Sequence, residues 1–292
     1  MLCAIKVTAL IAAAVLAITS PVVKAQKLSG VGFNALNIDK SRNAFIDGGT
    51  YDASDILAGK DIDTTGGGEG LFVDSNATAT ICNVNLIKGG RDYPRDSDGS
   101  SDGRPGISVV GSLEIVNGFV EGGDAGPDGT GPYGIGDGGT GIQLNDESQV
   151  TIDGHVTVLG GLTFDGSSRG VTLVVQGFSD TLSVLDVFSG TFGDELTETG
   201  LTLIGENTTI NIYGGQWYGA WNSLTSSMND TKVITVYGDL VWEDNVITGH
   251  LCDNSHISVE VIDIRSQVVI DSDCSNYISR ASNDKCETKV SR

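Results

Sequence analysis

Basic residues are scarce. Seventeen Lys and Arg stand against 38 Asp and Glu, for a net charge of −21. Phosphate backbones and anionic lipid surfaces call for the opposite balance, so nucleic acid and membrane surfaces are poor partners for this chain. Direct contact with an acidic polysaccharide is disfavoured too, unless a divalent cation bridges the like charges. Past residue 25 no apolar run reaches the roughly 20 residues that a membrane span needs, so no membrane insertion is expected. A helical period is also missing. No later window repeats apolar residues at i, i+3 and i+4, which excludes leucine-rich and ankyrin architectures. There are five cysteines and three histidines and no Cys-x-x-Cys. The grouping His250-Leu251-Cys252 with His256 is the nearest thing to a zinc motif, and a cysteine of an exported chain is more often oxidised.

The start of the chain reads as an export signal over residues 1–25. Lys6 precedes the apolar run Val7–Ile18, and Val23-Lys24-Ala25 places small residues where signal peptidase cuts. An extracellular or cell-surface location follows, in which disulfides form. Cys252–Cys274 and Cys274–Cys286 are the candidate bridges. Cys82, in the alternating run Thr80–Leu86, reads as a buried thiol acting as a small apolar residue. Three sequons mark Asn76, Asn207 and Asn229 as glycan acceptors.

What the chain has in abundance is glycine, 41 residues of it, and the glycines keep time. Gly70-Leu-Phe-Val, Gly106-Ile-Ser-Val, Gly141-Ile-Gln-Leu, Gly170-Val-Thr-Leu and Gly200-Leu-Thr-Leu recur 29 to 36 residues apart. A second alternating run usually follows, as in Ser112-Leu-Glu-Ile, Gln149-Val-Thr-Ile and Thr209-Ile-Asn-Ile. Next come an Asn-Gly or Asp-Gly bend and a closing pair, Gly89-Gly90, Gly122-Gly123 or Gly160-Gly161. Apolar residues of period two are strands with one buried face. Repeats of this length are solenoids or arrays, and three strands with three bends make one coil. The fold expected is all-β: a right-handed parallel β-helix of about seven or eight coils over residues 26–265. A C-terminal cap or tail over 266–292 completes it.

This rhythm, over residues 32–265, resembles the right-handed parallel β-helix, or pectin-lyase-like, superfamily. The resemblance implies a long rigid surface used in that superfamily by polysaccharide lyases, glycoside hydrolases, epimerases and adhesins. Its catalytic templates are not matched. Gly249-His250-Leu251 departs from the Gly-His-Gly of the polygalacturonase-like members, Arg265 lacks the accompanying lysine, and no Asn-Thr-Asp precedes them.

Three groups of residues invite chemistry. Two acidic insertions, 91–106 and 124–139, each follow a Gly-Gly at the same place in the unit. They bring Asp96, Asp98 and Asp102 beside Asp124, Asp128 and Asp137, an oxygen-rich set suited to calcium, the candidate cofactor. Lys88 and Arg91 lie next to them as candidate bases for a lyase. Tyr213, Trp217, Tyr218 and Trp221 form an aromatic group that reads either as a platform for sugars or as packing between coils. The expected function is a secreted or cell-surface, non-enzymatic solenoid. Its contact would be with carbohydrate, cell wall or matrix. The alternative is a polysaccharide lyase or glycoside hydrolase.

Overall fold

The period-two alternation does form strands, and they stack in parallel. The computed structural model describes residues 35–39, 42–53, 68–91, 102–126, 137–177, 181–205, 207–223, 233–263, 268–280 and 286. The expected signal segment and Asn229 lie outside them. Within them the chain is an all-β, parallel β-solenoid of about five turns.

Each turn has three faces. The first is a seven-stranded parallel sheet of β1 (Leu36–Ile38), β4 (Leu71–Val73), β6 (Ile107–Val109), β8 (Ile142–Leu144), β10 (Leu173–Gly177), β13 (Thr199–Gly205) and β16 (Ala220–Ser223). The second stacks β2 (Asn43–Asp47), β5 (Thr78–Lys88), β7 (Ser112–Glu121), β9 (Gln149–Leu159), β11 (Ser183–Val187), β14 (Thr208–Ile212) and β17 (Val233–Glu243). The third is made by β3 (Thr50–Asp52), the distal halves of β5, β7 and β9, then β12 (Thr191–Phe192) and β15 (Gln216–Trp217).

Strict register turns the alternation into columns. Leu36, Leu71, Ile107, Ile142, Leu173, Leu201 and Trp221 stack inside the first face. Ile46, Ile81, Ile115, Ile152, Val187, Ile212 and Val236 stack inside the second. Tyr51, Ile87, Val120, Val158, Phe192 and Trp217 stack inside the third. All are buried, and burying one such side chain contributes about 1.5–3 kcal/mol.

The bend between the second and third faces is held by side chains. Asn83 and Asn117 take left-handed φ angles of 52° and 62°, and Gly154 one of 74°. The asparagines form a ladder: Asn83 Nδ2 donates to Asp47 Oδ1 at 3.2 Å, Asn117 Nδ2 to Asn83 Oδ1 at 3.2 Å, and His155 N to Asn117 Oδ1 at 2.7 Å. A side chain at 154 would collide with Asn117 Oδ1, so the asparagine ladder gives way to glycine there.

The corner after the third face is built of glycine backbone. Each of these turns crosses it twice, once leaving and once returning. Consecutive crossings are hydrogen-bonded in one column: Gly90 N to Gly68 O, Arg104 N to Gly90 O, Gly123 N to Arg104 O, Gly139 N to Gly123 O, Gly161 N to Gly139 O and Gly170 N to Gly161 O, all at 2.7–2.9 Å. A Cβ on Gly103, Gly122, Gly123, Gly138, Gly139, Gly160, Gly161 or Gly170 would sit well under 3.0 Å from a neighbouring backbone carbonyl. None of these glycines has a left-handed φ. Space, not conformation, demands glycine here.

The C-terminal end departs from the expectation. β17 begins as a coil strand in register with β14, then runs into an antiparallel hairpin with β18 (Val246–Leu251), which pairs in turn with β19 (His256–Glu260). His256-Ile-Ser-Val-Glu-Val is therefore not the final coil strand it resembles. Ile247, Leu251, Ile257, Val259 and Val261 turn into the core beside Trp221. A Val261–Trp221 bridge and the Ile262 N to Trp221 O bond at 2.8 Å fasten the hairpin to the last first-face strand. At its tip, Asp253 Oδ2 accepts Gly215 N at 2.8 Å and Ser255 Oγ donates to Gly215 O at 3.0 Å. Conversely β20 (Val268–Asp271), inside the expected cap, pairs in parallel with β17 as one more second-face strand. The short helix α1 (Ser275–Arg280) follows. About five turns replace the seven or eight expected, because β18 and β19 turn back as a hairpin and the outermost strands belong to incomplete turns.

The bridge Cys252–Cys274 is present, spanning 22 residues, and pins the β18–β19 hairpin, which forms the cap over the last turn, to the chain after β20. The reading of Cys82 as a free thiol is overturned. It is bonded to Cys286 across 204 residues. Cys82 is fully buried, but the left-handed turn at Asn83 restarts the alternation. Ile81 therefore points to the core and Cys82 meets the C-terminal segment. Two disulfides point to a non-cytoplasmic protein. Among the described residues no helix is long and apolar enough to cross a membrane.

Candidate functional site: an open groove beside an acidic edge

Outward positions of the third face lie in register as the inward ones do. Phe119, Thr157, Thr191 and Gln216 form one row. Asp52, Lys88, Glu121 and Leu159 form the next. Between this face and the turn 193–197 lies an open groove of ≈ 510 Å³, lined by Thr157, Leu159, Thr191, Asp194, Glu195 and Tyr218. Gln216 Nε2 donates to the Tyr218 hydroxyl at 2.6 Å on the exposed side. The groove thus offers one aromatic ring, two threonine hydroxyls and an exposed carboxylate, Glu195, with the Gln216 amide bonded to the ring's hydroxyl.

Through Asp194 the groove joins an ion network running from coil to coil. Arg169 Nε donates to Asp194 Oδ2 at 2.6 Å, while its Nη1 reaches Glu121 Oε1 at 3.1 Å and Gly160 O at 2.9 Å. Lys88 Nζ lies 2.8 Å from Asp124 Oδ2 and 3.4 Å from Glu121 Oε2. Burial alone would raise the Asp124 carboxyl. The Lys88 hydrogen bond, the Leu162 N–H and the charges of Lys88 and Arg91 outweigh it and hold Asp124 below the usual carboxylate range. Burial would likewise lower Lys88, but Asp124 and Glu121 hold its ammonium above the ordinary lysine value. Lys88 is therefore protonated at neutral pH and is not poised as a base.

The two acidic insertions leave the glycine corner from adjacent turns. Their feet touch: Gly103 N donates to Asp137 O at 2.8 Å and Asp137 N to Asp102 Oδ1 at 3.2 Å. Of the six aspartates singled out for calcium, Asp96, Asp98 and Asp128 lie outside the described residues. Asp102 and Asp137 stand together at the feet, and Asp124 is turned into the ion network. Among the described residues no three His, Cys, Asp or Glu side chains converge as a metal site.

The aromatic group divides. Trp221 is fully buried, and Trp217 and Tyr213 are each 5% exposed. Trp217 stacks on Phe192 at 4.3 Å and meets Trp221 edge-on at 5.2 Å. Tyr213 is sandwiched between Phe188 at 4.8 Å and Tyr237 at 4.2 Å. Burial, with Tyr237 and Asp186 nearby, pushes its hydroxyl up to about 12. These three rings are packing between coils and present no face to a sugar. Tyr218 alone reaches the groove. Strand phase carries the signal: Trp217 shares the inward phase of Phe192, so its neighbours Gln216 and Tyr218 must point out. The ion network was partly legible as well, since Lys88 and Glu121 occupy one register position.

Of the sequons, Asn76 sits exposed on a turn with φ 57°, and Asn207, half-buried, on another with φ 56°. Comparison with protein-family models, with curated proteins and with solved structures returns no match. The fold itself defines the class, a disulfide-tied parallel β-solenoid.

Proposed function

We propose that this is an exported, non-enzymatic β-solenoid that binds a carbohydrate of a cell wall or matrix along its third face. The resemblance of its repeat to that of the pectin-lyase-like solenoids supports the reading. The observation that carries the reading is the groove: Tyr218, Thr191 and Thr157 line an open surface, and Gln216 stands beside it in the register row of the two threonines. A ring with hydroxyls beside it suits a sugar, which is apolar on its ring faces and polar at its rim. Two disulfides, exposed or half-exposed sequon turns and the export-type start support the location. Calcium held between the acidic insertions would let this negative edge accept an acidic polysaccharide.

A non-catalytic role is supported by the state of the acids. Hydrolysis of a glycosidic bond requires two carboxylates facing the scissile bond. Asp194 is engaged by Arg169, which leaves Glu195 as the one solvent-facing acid of the groove lining. Titration of the intact protein with neutral and acidic polysaccharides, with and without calcium, tests the reading. Binding weakened about tenfold by Tyr218→Ala, a change of about 1.4 kcal/mol, is the expected result. Release of reducing ends or unsaturated products would favour the lyase or hydrolase alternative. No binding to any polysaccharide, or binding indifferent to Tyr218→Ala, would contradict the proposal.

A further inference from the structure

Two of the three histidines of the chain meet on the solvent face of the cap. His250 of β18 lies directly opposite His256 of β19, and Asp239 of β17 lies directly opposite His250. All three are exposed. Directly opposed residues of an antiparallel sheet project from the same face, so Asp239, His250 and His256 form one row across three strands. Leu251 N donates to Ser255 O at 2.9 Å, which makes 251–255 the hydrogen-bonded pair. The next pair, His250–His256, is then of the other kind, whose Cα atoms lie about 4.5 Å apart and whose side chains are closer. The imidazole centroids are 5.4 Å apart with the rings at 79°.

The surroundings favour a cation. Residues 233–260 contain no lysine or arginine but carry Asp239, Glu243, Asp244, Asp253 and Glu260. No ammonium or guanidinium from these strands competes for the row, and the local field is negative. Imidazole pairs are ligands for zinc and copper(II), whereas calcium takes six to eight oxygens. Two nitrogens bound at about 2.0–2.1 Å to a tetrahedral ion lie about 3.3 Å apart. Chelation requires the two rings, 5.4 Å apart by their centroids, each to turn a nitrogen to that separation.

We propose that His250 and His256 chelate a divalent transition-metal ion, zinc or copper(II), on the outer face of the cap, with Asp239 swinging in as a third ligand. Such an ion would cross-link β17, β18 and β19, the strands that close the end of the solenoid. By binding only the folded cap it would stabilise it. The site is separate from the groove and from the acidic insertions, and it stands whether or not the protein binds carbohydrate.

The test is titration of the intact chain with zinc, copper(II) and calcium, followed by calorimetry and by the imidazole C–H resonances in NMR. One-to-one micromolar binding of zinc and copper, a raised melting temperature and displacement of two of the three histidine resonances are expected. His250→Ala and His256→Ala should each weaken zinc by more than the about tenfold that even an outer-shell partner costs. Asp239→Asn should weaken it several-fold, and His155→Ala should leave it unchanged. The resonance readout uses the unaltered protein, so it decides even if a variant fails to fold. No saturation below millimolar zinc, unmoved histidine resonances, or zinc affinity unchanged from the unaltered protein in both histidine variants would overturn the proposal.

Discussion

Gly123→Ala is expected to abolish the fold, or to destabilise it by more than about 4 kcal/mol, beyond the usual range for a single substitution. Gly123 lies in the middle of the glycine column. Its N–H donates to Arg104 O at 2.7 Å, and its carbonyl accepts from Gly139 at 2.8 Å. A methyl group there would drive into the carbonyls of Gly90 and Gly89. These belong to the neighbouring turn, so relief requires two turns to separate, and the hydrogen bonds on both sides separate with them. A tightly packed backbone cannot absorb that as a flexible side chain would. Gly166→Ala supplies the contrast. Gly166 has φ +68° and nothing within 4 Å of the added atom, so only the left-handed conformation is penalised, by about 1–2 kcal/mol. Soluble yield, protease resistance and urea unfolding of the two variants check the difference. Equal stability of the two would show that the corner is loosely packed.

The second large effect is expected on removing the Cys82–Cys286 bridge. It closes 204 residues. Loop-closure entropy then gives an upper estimate of about 5 kcal/mol, against about 3 kcal/mol for the 22 residues closed by Cys252–Cys274. The Cys82→Ala/Cys286→Ala double variant should therefore lose more stability than Cys252→Ala/Cys274→Ala. It should also release the C-terminal segment from the asparagine-ladder bend to proteases. Unfolding curves of the two double variants, with timed proteolysis, measure this. A reversed order, or a C-terminal segment still protected without Cys82, would show that other contacts hold the tail.

The repeat was legible because glycine and period-two apolar pairs recur in every coil. Inward columns such as Leu71–Ile107–Ile142 could be aligned by eye from Gly70, Gly106 and Gly141. The shared departure point of the acidic insertions followed from the same alignment. The cap was not legible, since alternation encodes which face of a strand is buried and not which way it runs. His256-Ile-Ser-Val-Glu-Val therefore reads alike in a coil and in a hairpin. The aromatic group stays ambiguous in the sequence, between sugar platform and packing, for a related reason. Ring size marks a cluster, while the phase set by β15 sends Trp217 in and its neighbour Tyr218 out. Cys82 could not be paired from spacing, because its partner is brought back by the last segment of the chain. The sequence places Lys88 next to the acidic insertions but reads Asp124 as a calcium ligand; the fold pairs the two at 2.8 Å.

The solenoid depends on the glycine column, which lets successive turns close tightly while loops of different length leave from one edge. Amide hydrogen exchange at Gly123, Gly139, Gly161 and Gly170 tests it most directly. These N–H groups are expected to exchange as slowly as those of the buried strands β7 and β9, only through global unfolding. Exchange at the rate of an open loop, with β7 and β9 still protected, would contradict it.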